Sequence, residues 1–513
     1  MADETIASHK LSGADVVEVD RPEDAAMSSS SIDVVISPGG DVIDARPSYR
    51  NTASDDASAV LAAARQWKFR PFVYAGRPIT ATGRIQILPR LKPVWAEPDA
   101  PFPAIDYDHL KIELTRSACF GSCPDYKVTI DGAGNVMFST REEPADPVAG
   151  IHRRFSPGRG VLIEGVHRAK VDRAALDALI GKFRTARFFG LKKDYFYPVT
   201  DNPTQIIRFA SGKNDLTVTD YVGVAAGMPP EAKMLEKAID DAAGTARWVK
   251  GNGETLAALR AEGFDPVGNQ AADLAVAAVA QGGDPLVLDL IAAGLPLDRV
   301  YTPERKGMVA APLGAILLLR AVEQGRPRVA QALIDRGWAA KVGRDALQAA
   351  FVSGAGGCDI GVVRALVAEG IDPRHVSPEA SADNFAAPTA LAAALGDSWR
   401  CEELGAERFD YLRGLVALGV NAEAGGSYGK TLFYGVKSPT AVEMLLAAGV
   451  RADVKGKDGL SPAFDSWTDE IVLRLLDAGA DPSGKKDGKT LRQIAAEHQM
   501  AGTLSWLDAH GMK

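Results

Sequence analysis

In the second half of this 513-residue chain, one leucine-rich segment after another ends on glycine. Leu290-Ile291-Ala292-Ala293-Gly294, Leu333-Ile334-Asp335-Arg336-Gly337, Leu366-Val367-Ala368-Glu369-Gly370 and Leu415-Val416-Ala417-Leu418-Gly419 share the pattern. Leu445-Leu446-Ala447-Ala448-Gly449 and Leu475-Leu476-Asp477-Ala478-Gly479 show it most cleanly. With the weaker Gly263 and Gly511 included, successive glycines stand 31, 43, 33, 49, 30, 30 and 32 residues apart. Such a period belongs to a helical solenoid, whose units cannot bury their apolar faces alone and stack on their neighbours. Glycine is expected at each helix end because the chain there turns through left-handed backbone, which glycine adopts without strain. The two long intervals leave room for inserts near Tyr301 to Gly307 and Arg374 to Asn384, which are nominated as contact loops.

At this length several domains are expected, because one hydrophobic core stops growing at about 250–300 residues. A content of 46% apolar and 24% charged residues is ordinary for a folded globular protein. A net charge of −8 argues against general attraction to nucleic acid or anionic membrane. The local basic cluster His152-Arg153-Arg154 with Arg159 reads as a solvated loop. The longest apolar run, Met308 to Leu319, is too short to span a bilayer and contains Pro312. Met1-Ala2-Asp3-Glu4-Thr5 lacks the basic start and apolar core of a signal peptide. The expectation is therefore a cytoplasmic protein, or a periplasmic one if an export segment is missing. Four cysteines are too few for a disulfide scaffold, and Cys358 and Cys401 are expected to be lone, inert thiols.

The expected fold is multidomain. Residues 1–25 are polar and aperiodic and read as a disordered tail. Residues 26–90 read as a small α+β module of ββαβ order. It consists of a hairpin over Ile32–Ile36 and Asp41–Ala45, a helix over Ala57–Gln66, and a strand over Arg84–Ile87. Pro93, Pro98, Pro101 and Pro103, with Pro89 just before them, make residues 91–107 an extended, semi-rigid linker. An α+β domain follows over 108–246, with strands at Leu110–Leu114, Tyr126–Ile130, Asn135–Phe138, Gln205–Phe209 and Asp215–Thr219. Asp172 is positioned to cap a helix running through Phe183. Residues 247–513 are the all-α solenoid.

Three resemblances accompany this reading. The strand-strand-helix-strand order with Trp67-Lys68-Phe69-Arg70-Pro71 resembles the TonB C-terminal domain family over about 30–90. That family's domain contacts envelope proteins. The membrane anchor and the long Pro/Lys spacer found in that family are not seen here, so the resemblance implies a reused binding module rather than energy transduction. Cys119-Phe120-Gly121-Ser122-Cys123-Pro124 with Tyr126 resembles a bacterial domain family of unknown function, and the likeness extends through Asp194-Tyr195, Thr200-Asp201 and Asp220-Tyr221. The repeats resemble ankyrin. Asp458-Gly459-Leu460-Ser461-Pro462 and Asp487-Gly488-Lys489-Thr490-Leu491 match that family's opening, Gly429-Lys430-Thr431-Leu432 matches it without the aspartate, and Leu475 to Asp481 match its close.

Candidate chemistry is sparse. Cys119 and Cys123 can form a small disulfide, act in thiol exchange, or supply half of a zinc site, although no second ligand pair follows. Ala424 to Thr431 fits a loose nucleotide-binding pattern. It lies where a repeat turn belongs, and Gly488-Lys489-Thr490-Leu491 recurs two units later, so no phosphate site is expected. Tyr195, Tyr197, Asp201, Asp220 and Tyr221 are the residues to line a polar pocket, with turn and half-buried strand positions as the plainer alternative. No catalytic, cofactor or metal residues are assigned. The leading expectation is a non-enzymatic protein of bacterial type that recognises protein partners through the array. The alternatives are a thiol enzyme centred on Cys119 and Cys123 and a small-ligand sensor in the central domain.

Overall fold

The computed structural model describes residues 9–19, 31–47, 57–74, 77–140, 160–302, 310–377, 389–395, 407–422, 425–426, 429–434, 436, 439–466 and 468–512. The fold is mixed α/β, with one large sheet and many helices. Two compact units divide the chain. One comprises Met1–Val17, Met27–Leu88 and Ala321–Lys513, and the other comprises Glu18–Ala26 and Pro89–Arg320.

The N-terminal part carries β1 (Lys10–Ser12), β2 (Val16–Val19), β3 (Ser31–Ile36), β4 (Val42–Pro47), α1 (Ala57–Arg65), β5 (Lys68–Phe69), β6 (Phe72–Tyr74), β7 (Arg77–Ile79), β8 (Ala81–Gln86) and β9 (Leu88–Leu91). The strands β4, β3 and β8 form an antiparallel sheet in that order. Alternation along β3 buries Ile32, Val34 and Ile36, and Val60, Ala63 and Ala64 of α1 complete the same core with Trp67, Phe69 and Phe72. The described part of the expected tail is ordered into strands, which corrects that expectation. The strand β1 pairs with β5 and β2 with β9. The Trp67 indole donates to the Ala14 carbonyl at 3.1 Å, and the Lys10 ammonium lies 3.7 Å from the Trp67 ring. Strands this short have no readable period, and it is tertiary contacts such as those of Trp67 with Ala14 and Lys10 that accompany their pairing.

In the second unit, seven strands form one sheet: β10 (Leu110–Arg116), β11 (Tyr126–Asp131), β12 (Asn135–Thr140), β13 (Val166–Lys170), β14 (Asp194–Phe196), β15 (Gln205–Ser211) and β16 (Asn214–Tyr221). Their spatial order is β13-β12-β11-β10-β15-β16-β14, antiparallel except for the β14–β16 pair. Alternate residues are buried, Ile112 and Leu114, Val128 and Ile130, Val136 and Phe138, Ile207 and Phe209. The helices α2 (Arg173–Thr185) and α3 (Pro230–Ala243) pack with each other, and α3 lies on β10 and β11. Asp172 caps α2 by accepting from the Ala175 amide at 2.8 Å, and the Phe183 and Phe209 rings meet at 4.9 Å.

Two further expectations are corrected in this unit. The proline-rich segment is a strap held down along its length, rather than a linker. Val94 donates to the Gly227 carbonyl at 2.9 Å, Glu97 donates to Gly190 at 3.0 Å, and Phe102 meets Phe209 edge-on at 5.6 Å. The boundary expected at 246/247 is crossed without a break. Trp248, fully buried, stacks on Phe138 at 4.9 Å, Leu162 and Ile163 donate to the Val249 and Trp248 carbonyls, and His167 meets Glu262 at 2.8 Å. The repeats ending at Gly263 and Gly294 therefore belong with the sheet.

All eight repeat glycines have positive φ, between 70° and 96°. At Gly479 the geometry is a Schellman turn: Gly479 donates to Leu476 at 3.0 Å and Ala480 to Leu475 at 2.9 Å. Gly449 repeats it, with Gly449 donating to Leu446 at 3.0 Å and Val450 to Leu445 at 3.0 Å. The leucines opening each segment, Leu333, Leu366, Leu415, Leu445 and Leu475, are 0–1% exposed, each burial contributing about 1.5–3 kcal/mol. Where the glycine spacing is 33, the first helix of the unit is full, Arg344–Ala355. Where the spacing is 30, the described first helix shrinks to the single turn Pro462–Phe464 or to the turn after Thr431.

Candidate functional site

A buried polar cluster lies where β10 and β11 meet. Arg116, the last residue of β10, stands directly opposite Tyr126, the first of β11, so the two close the loop 117–125 like the base of a hairpin. Both are held by α3. The Asp240 carboxylate accepts from Tyr126 Oη at 2.6 Å, from Arg116 Nη2 at 2.8 Å and Nε at 3.1 Å, and from Thr245 Oγ1 at 2.9 Å. One turn earlier on α3, Glu236 accepts from Arg116 Nη1 at 3.5 Å. The Lys233 ammonium bridges Glu236, at 2.9 and 3.1 Å, to Asp220 of β16 at 2.7 Å. Asp220 also accepts from the Gly223 amide at 2.6 Å, beside Val222, a β-branched residue at φ +54°.

Two cations face three carboxyls, of which Glu236 and Asp220 are 4% and 1% exposed. Burial first, and then the neighbouring Asp220, push the Glu236 carboxyl up to about 7, against the pull of Lys233. Burial and then Asp240 raise the Tyr126 hydroxyl. Burial works against the Lys233 charge, yet Glu236 and Asp220 together hold its pKa above the ordinary lysine value. On the outer face of the sheet a second ion cluster centres on Glu113, bonded by Lys127 at 2.7 Å, Arg208 at 2.9 Å and Lys111 at 3.0 Å. Burial alone would push Glu113 up, but these cations bring it down to about 2.

Inside the loop, Cys119 and Cys123 are joined by a disulfide with a Cα separation of 5.5 Å. The bridge presents Phe120, 89% exposed, at the loop tip. The neighbouring loop braces it, with Phe120 donating to the Asp201 carbonyl at 3.2 Å and Ser117 to Thr204 at 2.9 Å.

Of the tyrosines and aspartates nominated for a pocket, Tyr195 stands opposite Asp220 in the β14–β16 pair, and Tyr197 donates its amide to the Tyr221 carbonyl at 2.9 Å. Tyr195 is buried and its hydroxyl donates to Val94 O at 2.6 Å, tying down the strap, while Tyr197 is 4% exposed. Tyr221 donates to Val199 O at 2.6 Å and stacks on Phe196. Asp201 is an exposed turn residue at φ +69°. Only Asp220 belongs to the ionic cluster. Around the nucleotide-like match, Lys430 pairs with Asp458 and Thr431 Oγ1 donates to Asp465 at 2.6 Å, both in the next repeat. Cys358 is not a free thiol, contrary to expectation: it is disulfide-bonded, and no described cysteine is free. Cys401, the basic cluster 152–159, residues 303–307 and 378–384 of the contact loops, and residues 424, 427 and 428 lie outside the described residues. Among the described residues no group of three or more His, Cys, Asp or Glu is arranged to hold a metal ion, and no helix is long and apolar enough to cross a membrane.

Sequence reasoning noted Tyr126 as the last residue of the cysteine motif and the first of a strand, and it gave no site role to Arg116, Tyr126, Lys233, Glu236 or Asp240. The available signal was that Arg116 and Tyr126 flank the cysteine motif and that Glu236 interrupts an otherwise apolar helix face of Ala232, Leu235 and Ile239.

Residues 110–243, which hold this cluster, match one family model. Its description is Domain of unknown function (DUF6438). Among solved structures, the chain is similar to the human ASB11 ankyrin repeat domain at 17% identity, covering 45% of this chain and 96% of that one, with a TM-score of 0.31. It is also similar to one chain of a solved complex, that of the Bd0816 predatory endopeptidase from Bdellovibrio bacteriovorus with immunity protein Bd3460. That match has 21% identity, 37% and 96% coverage, and a TM-score of 0.29. No curated protein matches the chain.

Proposed function

We propose that this chain is a non-enzymatic recognition protein of bacterial type that docks a protein partner through its ankyrin-like repeats. In this reading the N-terminal module is a TonB-C-terminal-like binding fold, and the DUF6438 region, with its Cys-Phe-Gly-x-Cys-Pro loop, serves as a rigid support. The observation that carries the proposal is the cross-bracing of successive repeat turns. Lys430 reaches Asp458, Lys455 reaches Asp481 at 2.8 Å, Lys486 donates to the Phe464 carbonyl at 2.7 Å, and Asp469 accepts from Gly502 and Thr503 of the second helix in the next repeat at 2.7 and 2.6 Å. Turns locked to one another make a continuous, pre-organised surface, which lowers the entropy lost when a partner docks. Their tips, Lys457 and Lys485, are exposed. The bridged cysteines support maturation in an oxidising compartment.

The test uses the full-length chain, because removing residues 248–513 would cut through the sheet unit, which runs to Arg320. A protein captured from native cells is titrated against wild type and against a Lys457→Glu/Lys485→Glu variant. The proposal expects at least a tenfold loss of affinity in the variant, with an unchanged circular dichroism spectrum. Equal affinity for both proteins would reject the repeat turns as the docking surface.

A further inference from the structure

The ionic cluster beneath the disulfide loop holds one carboxyl more than its cations can neutralise, and it is wired to the loop's two stem residues. We propose that Glu236 is a buried proton-binding site that sets the order of the Cys119–Cys123 loop, and hence the presentation of Phe120, as the surroundings pass through neutral pH.

The charged and titratable groups around Glu236 come from α3 itself and from three strands. From α3 itself come Lys233, bonded to Glu236, and Asp240, one turn on; β10 supplies Arg116, β11 supplies Tyr126, and β16 supplies Asp220. The helix α2, also packed on α3, buries only Leu176, Leu179, Ile180 and Phe183, and its carboxylate Asp177 accepts from Tyr107 and Arg173 instead.

With Glu236 protonated, Arg116 and Lys233 balance Asp220 and Asp240, two charges of each sign. Arg116 then remains with Asp240 and Tyr126, and the stem is closed. When Glu236 ionises, three negative charges share the same two cations in a low-dielectric setting, where each such charge interacts strongly. The group able to respond is Arg116. Its Nη1 stands 3.5 Å from Glu236, beyond a good charge-assisted bond, while its Nε and Nη2 hold Tyr126 and Asp240 at 3.1 and 2.8 Å. Turning toward Glu236 draws Arg116 away from Tyr126 and loosens the stem. The loop is also held by its disulfide, by Ser117 and Phe120 donating to Thr204 and Asp201, and by Thr204 donating to Ser117 Oγ at 2.8 Å. Burial of Glu236 beside Asp220 places the transition near pH 7.

Amide hydrogen exchange on the full-length oxidised protein tests the proposal, with rates corrected for intrinsic chemistry from about pH 5.5 to about pH 8.5. In wild type, protection of peptides spanning 117–125 should fall by about threefold or more across this range, with a midpoint near 7. Glu236→Gln, neutral and of the same shape, should keep the acid-side protection at every pH. A flat wild-type profile overturns the proposal without any variant. A Glu236→Gln profile that still falls near neutrality overturns the assignment to Glu236.

Discussion

Gly479 offers a clean separation of backbone strain from packing. It lies at φ +96°, and a Cβ built there finds no atom within 4 Å. Any loss on substitution is therefore conformational. Left-handed backbone costs an L-residue about 1–2 kcal/mol, so Gly479→Ala should destabilise the surrounding repeat by about that amount. Gly479→Asn should lose about half as much, because asparagine tolerates this region. Gly479→Val should lose about 1 kcal/mol more than alanine, since a β-branched residue is a genuine outlier at positive φ. Gly502 is the contrasting case. It sits inside the helix Ala501–Ala509, and its Cβ would lie 2.6 Å from Leu473 Cδ1 and 3.0 Å from Asp469 Oδ2. Gly502→Ala should cost about 1–3 kcal/mol through overpacking alone, and asparagine there should be worse than alanine, the reverse of the order at Gly479. The assay is native-state hydrogen exchange of the helix Asp469–Asp477, which reports local opening free energy in a chain too large for one two-state transition. Equal stability of Gly479→Ala and wild type, or asparagine faring worse than alanine at 479, would refute the reasoning.

Four further outcomes follow from the same contacts. Glu113, held down to about 2, stabilises the sheet above about pH 4.5, and that contribution disappears as pH falls through about 2. Because its cations are a third to a half exposed, Glu113→Gln should cost only about 1–2 kcal/mol at pH 7, read by native-state hydrogen exchange of β10 and β11, and the variant should lose the acid-side slope. Asp469→Ala removes a carboxylate that accepts from two amides and the Thr503 hydroxyl; exchange of the helix Ala501–Ala509 should show about 1–2 kcal/mol lost. ATP titrated into the protein by calorimetry should give no heat beyond dilution, because Lys430 and Thr431 are engaged by Asp458 and Asp465. Alkylation without reductant, followed by mass spectrometry, should leave Cys119, Cys123 and Cys358 unmodified.

What was legible in the sequence is what local chemistry decides. The repeat glycines could be read because left-handed backbone excludes most other residues, and the strands β10, β11, β12 and β15 because their faces alternate. The Asp172 cap could be read from one side chain placed before a periodic run. The central cluster had no such local mark. Arg116 and Asp240 are 124 residues apart and meet only because α3 lies on β10. The strap at 91–107 looked like a linker because proline reports backbone stiffness and says nothing of the Gly190 and Gly227 carbonyls that receive it. The boundary at 247 failed for a similar reason: the helical period begins there, but the stack of Trp248 on Phe138 continues the earlier core across it.

Site-specific photocrosslinking on the full-length chain, in the cell, tests the docking claim most directly. A photoreactive residue placed singly at Lys457 and at Lys485, exposed tips of the braced turns, is compared with one at Thr217, exposed on the large sheet. The account predicts that one protein is crosslinked from both turn positions and not from 217. Adducts from 217 alone, with none from either turn, would contradict it.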